Sequence, residues 1–143
     1  MDQTDINILN LLQKNGRVTI KEISSKVNLT APAVAERIKR MEDSGIISGY
    51  STDINYVKLG KTMQAFVAVD VEPKKYEVFC DFCKKTPEIK SHFHIIGPQN
   101  AMLHVAVSDS DQLAELLSKI QFYGVSQTSV ILNTLFSQKA SVI

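Results

Sequence analysis

VTIKEISSKVNLTAPAVAERIKRMEDSGIISGY, residues 18 to 50, decides the fold. It reads as two amphipathic helices joined by a tight turn. Thr19 is a natural N-cap with Glu22 three residues on, the spacing at which side chain and backbone satisfy each other's orphan donors. Ile20, Ile23 and Val27 follow at i, i+3 and i+7, one face of a helix. Asn28 tolerates the left-handed geometry that lets the chain turn at once. Leu29 fills the corner and Thr30 caps the next helix. Pro32 lies in the first turn of that helix, where a missing N–H costs little. Val34, Ile38 and Met41 form its buried stripe, and Ser44-Gly45 ends it with a glycine at the position that favours a left-handed residue.

With Val34, Ile38 and Met41 turned inward at about 100° per residue, the outward residues are Pro32, Glu36, Lys39, Arg40 and Asp43, with Ala33 and Arg37 on one flank. Small residues at the start let the backbone approach a surface, and a helix N-terminus attracts phosphate. Long basic residues further along suit a helix entering a major groove N-terminus first. Glu36–Arg40 and Lys39–Asp43 are also i, i+4 pairs in the favourable order, as on any solvent-facing helix. The short helix before it, the tight turn, and Ile6, Leu9 and Leu12 upstream as a third packing partner decide for a helix-turn-helix.

The chain has 143 residues, enough for one full domain or two small ones, and its 44% apolar content is that of a globular protein. No apolar run approaches the ~20 residues of a membrane span, and the acidic, periodic start MDQTDINIL does not read as a signal peptide. Two cysteines fit a reducing cytoplasm. Residues 1–50 carry seven Lys/Arg against six Asp/Glu. Non-specific DNA affinity comes from neutralised phosphates, so one such module binds weakly and several must be linked to bind well.

In chain order, a first helix is expected over Thr4 to Lys14, capped by Thr4 and ended by Asn15-Gly16. After the helix-turn-helix, ISGYSTDINY reads as an extended segment that pairs with something, followed by the turn at Leu59-Gly60. The domains expected are 1–50, a strand-like linker over 51–61, and 62–143. From Thr62 the period becomes alternating: Met63, Ala65, Val67, Val69 and Val71 mark a strand. A helix from Pro73 to Lys85 turns Tyr76, Phe79, Phe82 and Cys83 inward. Strands at Ile89–Ile96 and Met102–Ser108 flank the loop GPQNA. Asp109 or Ser110 caps a helix with the stripe Leu113, Leu116, Leu117 and Ile120, and Val125–Ser137 is the last strand. The order βαββαβ is the ferredoxin-like unit, so the fold class is α+β.

Two helices cover one face of such a sheet. Val67, Val69, Phe93, Ile95, Leu103, Val105 and Val107 are expected beneath them, with Phe66, Ala68, Ile96, Met102 and Ala106 on the reverse face. An apolar face is costly to leave in water, and a second copy is its economical cover. With the GPQNA loop centred on Gln99, His94 lies opposite His104, which places His92, His94 and His104 together on that reverse face as interface hydrogen-bonding groups. Cys80 and Cys83 have C-x-x-C spacing, but without a second pair of ligands they read as packing residues. No metal, cofactor or catalytic group is expected.

TAPAVAERIKRMEDSGIISGY resembles the recognition helix and exit strand of the Lrp/AsnC family of feast/famine transcriptional regulators. TDINILNLLQKNGR and the βαββαβ pattern extend the resemblance over nearly the whole chain. It implies a DNA-binding domain followed by a domain that dimerises and assembles dimers up to octamers. It also implies an amino acid effector bound between dimers at a hairpin that in the family usually reads Gly-Asp-Tyr-Asp-Tyr. Here that hairpin is Gly97, Pro98, Gln99, Asn100 and Ala101. The site is expected around Gly97, Gln99, Asn100 and Ala101, without the carboxylates that hold an ammonium group. Asn100→Asp would then be expected to strengthen amino acid binding.

The partner expected is double-stranded DNA, in the cytoplasm and on the nucleoid. Arg37 and Arg40 should reach bases or phosphates, Lys39 a phosphate, and Ala33 and Glu36 the base edges, with Pro32 also in the DNA-binding surface. The amides after Thr30 should meet a phosphate. Since Arg37 and Arg40 lie off the buried stripe, removing either is expected to leave folding undisturbed. Two rival readings share this architecture: a siroheme-decarboxylase-like enzyme with catalytic histidines, and an architectural nucleoid protein with little sequence preference.

Overall fold

The computed structural model describes residues 1–137. The chain divides into two compact units, Met1–Asp53, to which Phe136 and Ser137 are also assigned, and Ile54–Leu135.

The first unit holds α1 (Gln3–Lys14), α2 (Ile20–Val27) and α3 (Ala31–Asp43). Ile8, Leu9, Ile23, Val34 and Met41 form its buried core, with Val18, Val27, Leu29 and Ile38 packed around them. Each helix starts where a side chain caps it. α2 has the expected box: Thr19 accepts from the Glu22 N–H, and the Glu22 carboxylate accepts from the Thr19 N–H at 2.8 Å. Thr30 caps α3 by accepting from the Ala33 N–H. Asn28 stands between them with φ 55°, the left-handed residue the turn requires. For α1 the expected cap is two residues off. The cap is Asp2 rather than Thr4, in a box with Asp5, because the two carboxylates lie three residues apart and accept each other's backbone N–H at 2.9 Å.

The segment after α3, expected as a pairing strand, finds no ladder partner within the described chain. A single 3₁₀ turn, Val57–Leu59, closes it on Gly60.

The second unit contains β1 (Met63–Val71), α4 (Tyr76–Lys85), β2 (Ile89–His94), β3 (Ala101–Val107), α5 (Ser110–Ile120) and β4 (Gly124–Ile131). The sheet is four-stranded, in the order β2-β3-β1-β4, with every pairing antiparallel. This is the expected ferredoxin-like architecture. Pro73 opens a 3₁₀ turn rather than α4 itself, and β4 ends at Ile131, well before Ser137. Ala65, Val67, Val69, Val71, Leu103, Val105 and Val107 meet Phe79, Cys83, Leu113, Leu116 and Ile120 in one core. Gly124 sits opposite Val71, so close that an added Cβ would fall 1.9 Å from the Asp70 carbonyl oxygen; only glycine fits there.

Register overturns the expected grouping of histidines. His94 pairs with Ala101, not with His104, and His92 pairs with Leu103. The pairing differs from the expected one by an odd number of residues, and such a slip exchanges the two faces of a strand. The loop runs over residues 95–100 and is closed by the Ile95 N–H on the Asn100 carbonyl at 3.0 Å. The ladder also shifts between Ile89 and Ser91. His92 and His94 therefore face the helices. Phe93, expected beneath them, stands on the open face opposite Met102 and is 55% exposed. His104 alone of the three is on the open face, opposite Phe66.

Candidate nucleic-acid interface and effector hairpin

The helix-turn-helix presents α3 as the sequence predicts. Pro32, Glu36, Lys39 and Arg40 are exposed, and Ala33 and Arg37 are partly so. The anticipated pairs Glu36–Arg40 and Lys39–Asp43 do not close among the described residues. Instead, both arginines reach back to α1. Arg37 Nη1 donates to Asp2 Oδ2 and to Asp5 Oδ1, each at 2.7 Å. Arg40 Nη2 lies 3.3 and 3.2 Å from Asp5 Oδ1 and Oδ2.

Asp5 is the hub of this cluster and is only 1% exposed. Burial drives its pKa up, but the Asp2 backbone N–H and the Arg37 guanidinium outweigh it and hold the carboxyl below the usual range. The Asp2 carboxyl is lowered as well, by the Asp5 N–H first and Arg37 second. The arginines differ in what they have left to offer. The Arg37 side chain is 25% exposed and tightly held, whereas that of Arg40 is 64% exposed.

Arg37 is thus a strut between α1 and α3, and the expectation that its removal leaves folding undisturbed does not stand. Asp2 and Asp5 went unread as parts of the site. The available signal was Asp-x-x-Asp at a helix start, facing Arg-x-x-Arg at the same three-residue spacing. Past α3, the Tyr50 hydroxyl donates to Glu42 Oε1 at 2.7 Å. Burial, then Glu42, pushes this phenol up to about 12.

The hairpin candidates separate. Gly97 and Pro98 are exposed and Gln99 is half-buried, its Nε2 reaching Gln127 Oε1 at 3.4 Å. Ala101, expected to line an effector site, is fully buried in β3 on the helix side. The Asn100 side chain is engaged with β1. Its Oδ1 accepts from the Val71 N–H at 2.9 Å and its Nδ2 donates to the Val71 carbonyl at 2.8 Å. Its own N–H donates to the Val69 carbonyl, so one amide side chain extends the ladder by a step. Asn100 therefore acts as a clamp on the backbone. A carboxylate there would accept from Val71 N–H but could not donate to its carbonyl.

The remaining candidates do not gather into a reactive centre. His92 packs edge-on against Phe79 at 5.3 Å, and His94 lies 4.8 Å from Tyr76. His104 bonds Gln64 at 3.0 Å on the other side of the sheet. His92 Nε2 is buried without a partner among the described residues. Cys80 and Cys83 are free thiols, and burial, helped by Cys80, pushes Cys83 up to about 12. Among the described residues no three His, Cys, Asp or Glu side chains converge as metal ligands, and no helix is long and apolar enough to cross a membrane.

Comparison with known proteins agrees with this geometry. Residues 1–48 match the family model described as winged helix-turn-helix DNA-binding, and residues 64–140 match the Lrp/AsnC ligand binding domain. The HTH-type transcriptional regulator YezC of Bacillus subtilis is 34% identical over 134 residues, covering 94% of this chain and 95% of YezC. Among solved structures, LrpC of Bacillus subtilis superposes with a TM-score of 0.90 at 28% identity, over 96% of this chain and 99% of LrpC. A transcriptional regulator of Neisseria meningitidis in complex with L-Met gives 0.90 at 27% identity, over 99% and 96% of the two chains.

Proposed function

This chain belongs to the Lrp/AsnC family of transcriptional regulators, and from that premise we propose that it binds specific duplex DNA through α3 as an assembly of at least two copies. The observation that carries the reading is α3 itself: capped by Thr30, small at its first turn, and exposing Lys39 and Arg40. Arg40 meets a base edge or phosphate, Lys39 a phosphate, and the first-turn amides a phosphate. Arg37 serves the fold first, being committed to Asp2 and Asp5. The balance of charge in residues 1–50 is close to neutral, so useful affinity requires linked modules.

The open sheet face supplies the link. Phe66, Phe93 and Val125 stand on it 45%, 55% and 77% exposed, and a two-fold partner would bury them. That assembly acts in the cytoplasm, on the nucleoid.

Amino acid binding at residues 97–100 is weak in this reading. The Neisseria relative holds L-Met, but here the hairpin offers no carboxylate and Asn100 is occupied by Val71. One missing charge-assisted bond costs about 1.5–3 kcal/mol.

The test is fluorescence anisotropy of the full-length protein on duplexes it selects from random-sequence DNA, with a scrambled duplex alongside. Preferential, salt-sensitive binding is expected. Equal affinity for both duplexes would replace a sequence-specific regulator by an architectural DNA binder, and no binding at low salt would remove the DNA role.

A further inference from the structure

We propose that Asp5 is a positioning residue for DNA recognition: from its buried place on α1 it fixes the Arg40 guanidinium in the orientation in which that side chain meets DNA. The inference rests on the reading that Arg40 contacts DNA. Asp5 is 1% exposed, yet both of its oxygens are directed at α3. Its Oδ1 takes Arg37 Nη1 at 2.7 Å and Arg40 Nη2 at 3.3 Å. Its Oδ2 takes the Asp2 N–H at 2.9 Å and Arg40 Nη2 at 3.2 Å.

The carboxylate cannot swing to follow Arg40, because the Asp2 N–H and Arg37 hold it from two other sides. Only one terminal nitrogen of Arg40 is used. Among the described residues its Nη1 and Nε have no partner, and 64% of the side chain faces water. Nη2 carries two hydrogens, and the one not given to Asp5, with its neighbour on Nη1 or Nε, thus remains for a bidentate contact to a guanine edge or a phosphate.

Such a side chain keeps fewer rotamers in the free protein and loses fewer on binding, which favours a contact of fixed direction over a general one. Asp5 has a second effect of opposite sign. As a fixed negative charge beside Arg40 it opposes any polyanion, so it lowers affinity for DNA in general. Orientation gained and attraction lost both raise the ratio of specific to non-specific binding.

The test is a double-mutant cycle in the full-length protein with Asp5→Asn, Arg40→Ala and both, read by anisotropy on the selected duplex and on a scrambled duplex over a range of salt. Asp5→Asn should lower the selected-to-scrambled ratio about 5- to 150-fold, the value of one bidentate base contact. Scrambled-duplex affinity should hold or rise, with the salt slope steeper by about one unit as Arg40 is released. In the Arg40→Ala background Asp5→Asn should leave the ratio unchanged.

If Asp5 only held the fold, both duplexes would weaken together and the loss would persist without Arg40; that result overturns the proposal. An Arg40→Ala protein with an undiminished ratio overturns the underlying reading that Arg40 touches DNA. An Arg40-dependent ratio that Asp5→Asn does not change overturns the positioning role alone. Should Asp5→Asn be unfolded at the assay temperature, Asp5→Glu takes its place, with the charge kept and displaced by a methylene, and the same fall in ratio is expected.

Discussion

Two residues of the same type, one turn apart, do different work. Arg37 is bound at 2.7 Å to each of two carboxylates, one of them buried, so Arg37→Ala leaves the Asp5 carboxylate with the Asp2 N–H and, of its cationic partners, only the longer contacts of Arg40. The expected outcome is a lower melting temperature by circular dichroism, with DNA affinity falling only as far as folding does. Arg40→Ala should melt near the wild type and lose about 1–3 kcal/mol of specific binding. At the hairpin, Asn100→Asp removes the donor that satisfies the Val71 carbonyl and sets a carboxylate against it. The expected outcome is a destabilisation of about 1–3 kcal/mol in urea unfolding, with no gain in methionine or leucine affinity by calorimetry. The sequence could show that Asn100 carries no charge but not its geometry, since the Val71 backbone comes near it only through the pairing of β1 with β3. Likewise Asp2 and Asp5 read locally as a capping pair, and their tie to α3 needed the third dimension.

At the scale of elements, legibility followed locality. Thr19, Glu22, Asn28, Thr30 and Pro32 act within four residues of themselves, and all were readable in place. Thr30→Ala should cost about 0.5–2 kcal/mol. A destabilisation of α3 too small to detect would show that tertiary packing alone holds that terminus. The alternation along β1 and the stripe of α5 were equally plain, because each is a periodicity inside one segment. Strand pairing is a relation between segments. The same residues could be placed in strands correctly and still be put on the wrong face, as His92, His94 and Phe93 were. The hairpin loop is longer than GPQNA implied, and the irregularity between Ile89 and Ser91 carries no sequence signal strong enough to set a register.

For the whole molecule, pH reaches both faces of the sheet through histidine. Burial, then His94, lowers the pKa of His92, and burial, then Lys90, lowers that of His104. Each group takes up protons on unfolding, so its contribution is complete above the unfolded value of about 6.5 and is lost as pH falls below it. The urea midpoint should therefore be lower near pH 5.5 than near pH 7.5, and His104→Gln should flatten the difference; a midpoint that rises on acidification would contradict the lowered pKa of these half-buried rings. Assembly is tested by Phe66→Glu, which should convert a dimer to a monomer in analytical ultracentrifugation.

The central place of β1 has a consequence for the order in which the protein comes into being. Its nine residues, MQAFVAVDV, are flanked in the finished sheet by β3, which begins at Ala101, and by β4, which begins at Gly124. On the ribosome, at about 5–20 residues per second, this valine-rich ribbon emerges with both hydrogen-bonding edges bare and waits seconds for its neighbours. The helices α1 to α3 lie within residues 3–43, so all three have emerged before β1 does and need not wait for it. Pulse-labelled hydrogen exchange during refolding should find α1 to α3 protected before β1. The interval in which β1 stands alone is when newly made chains are most exposed to mispairing with one another.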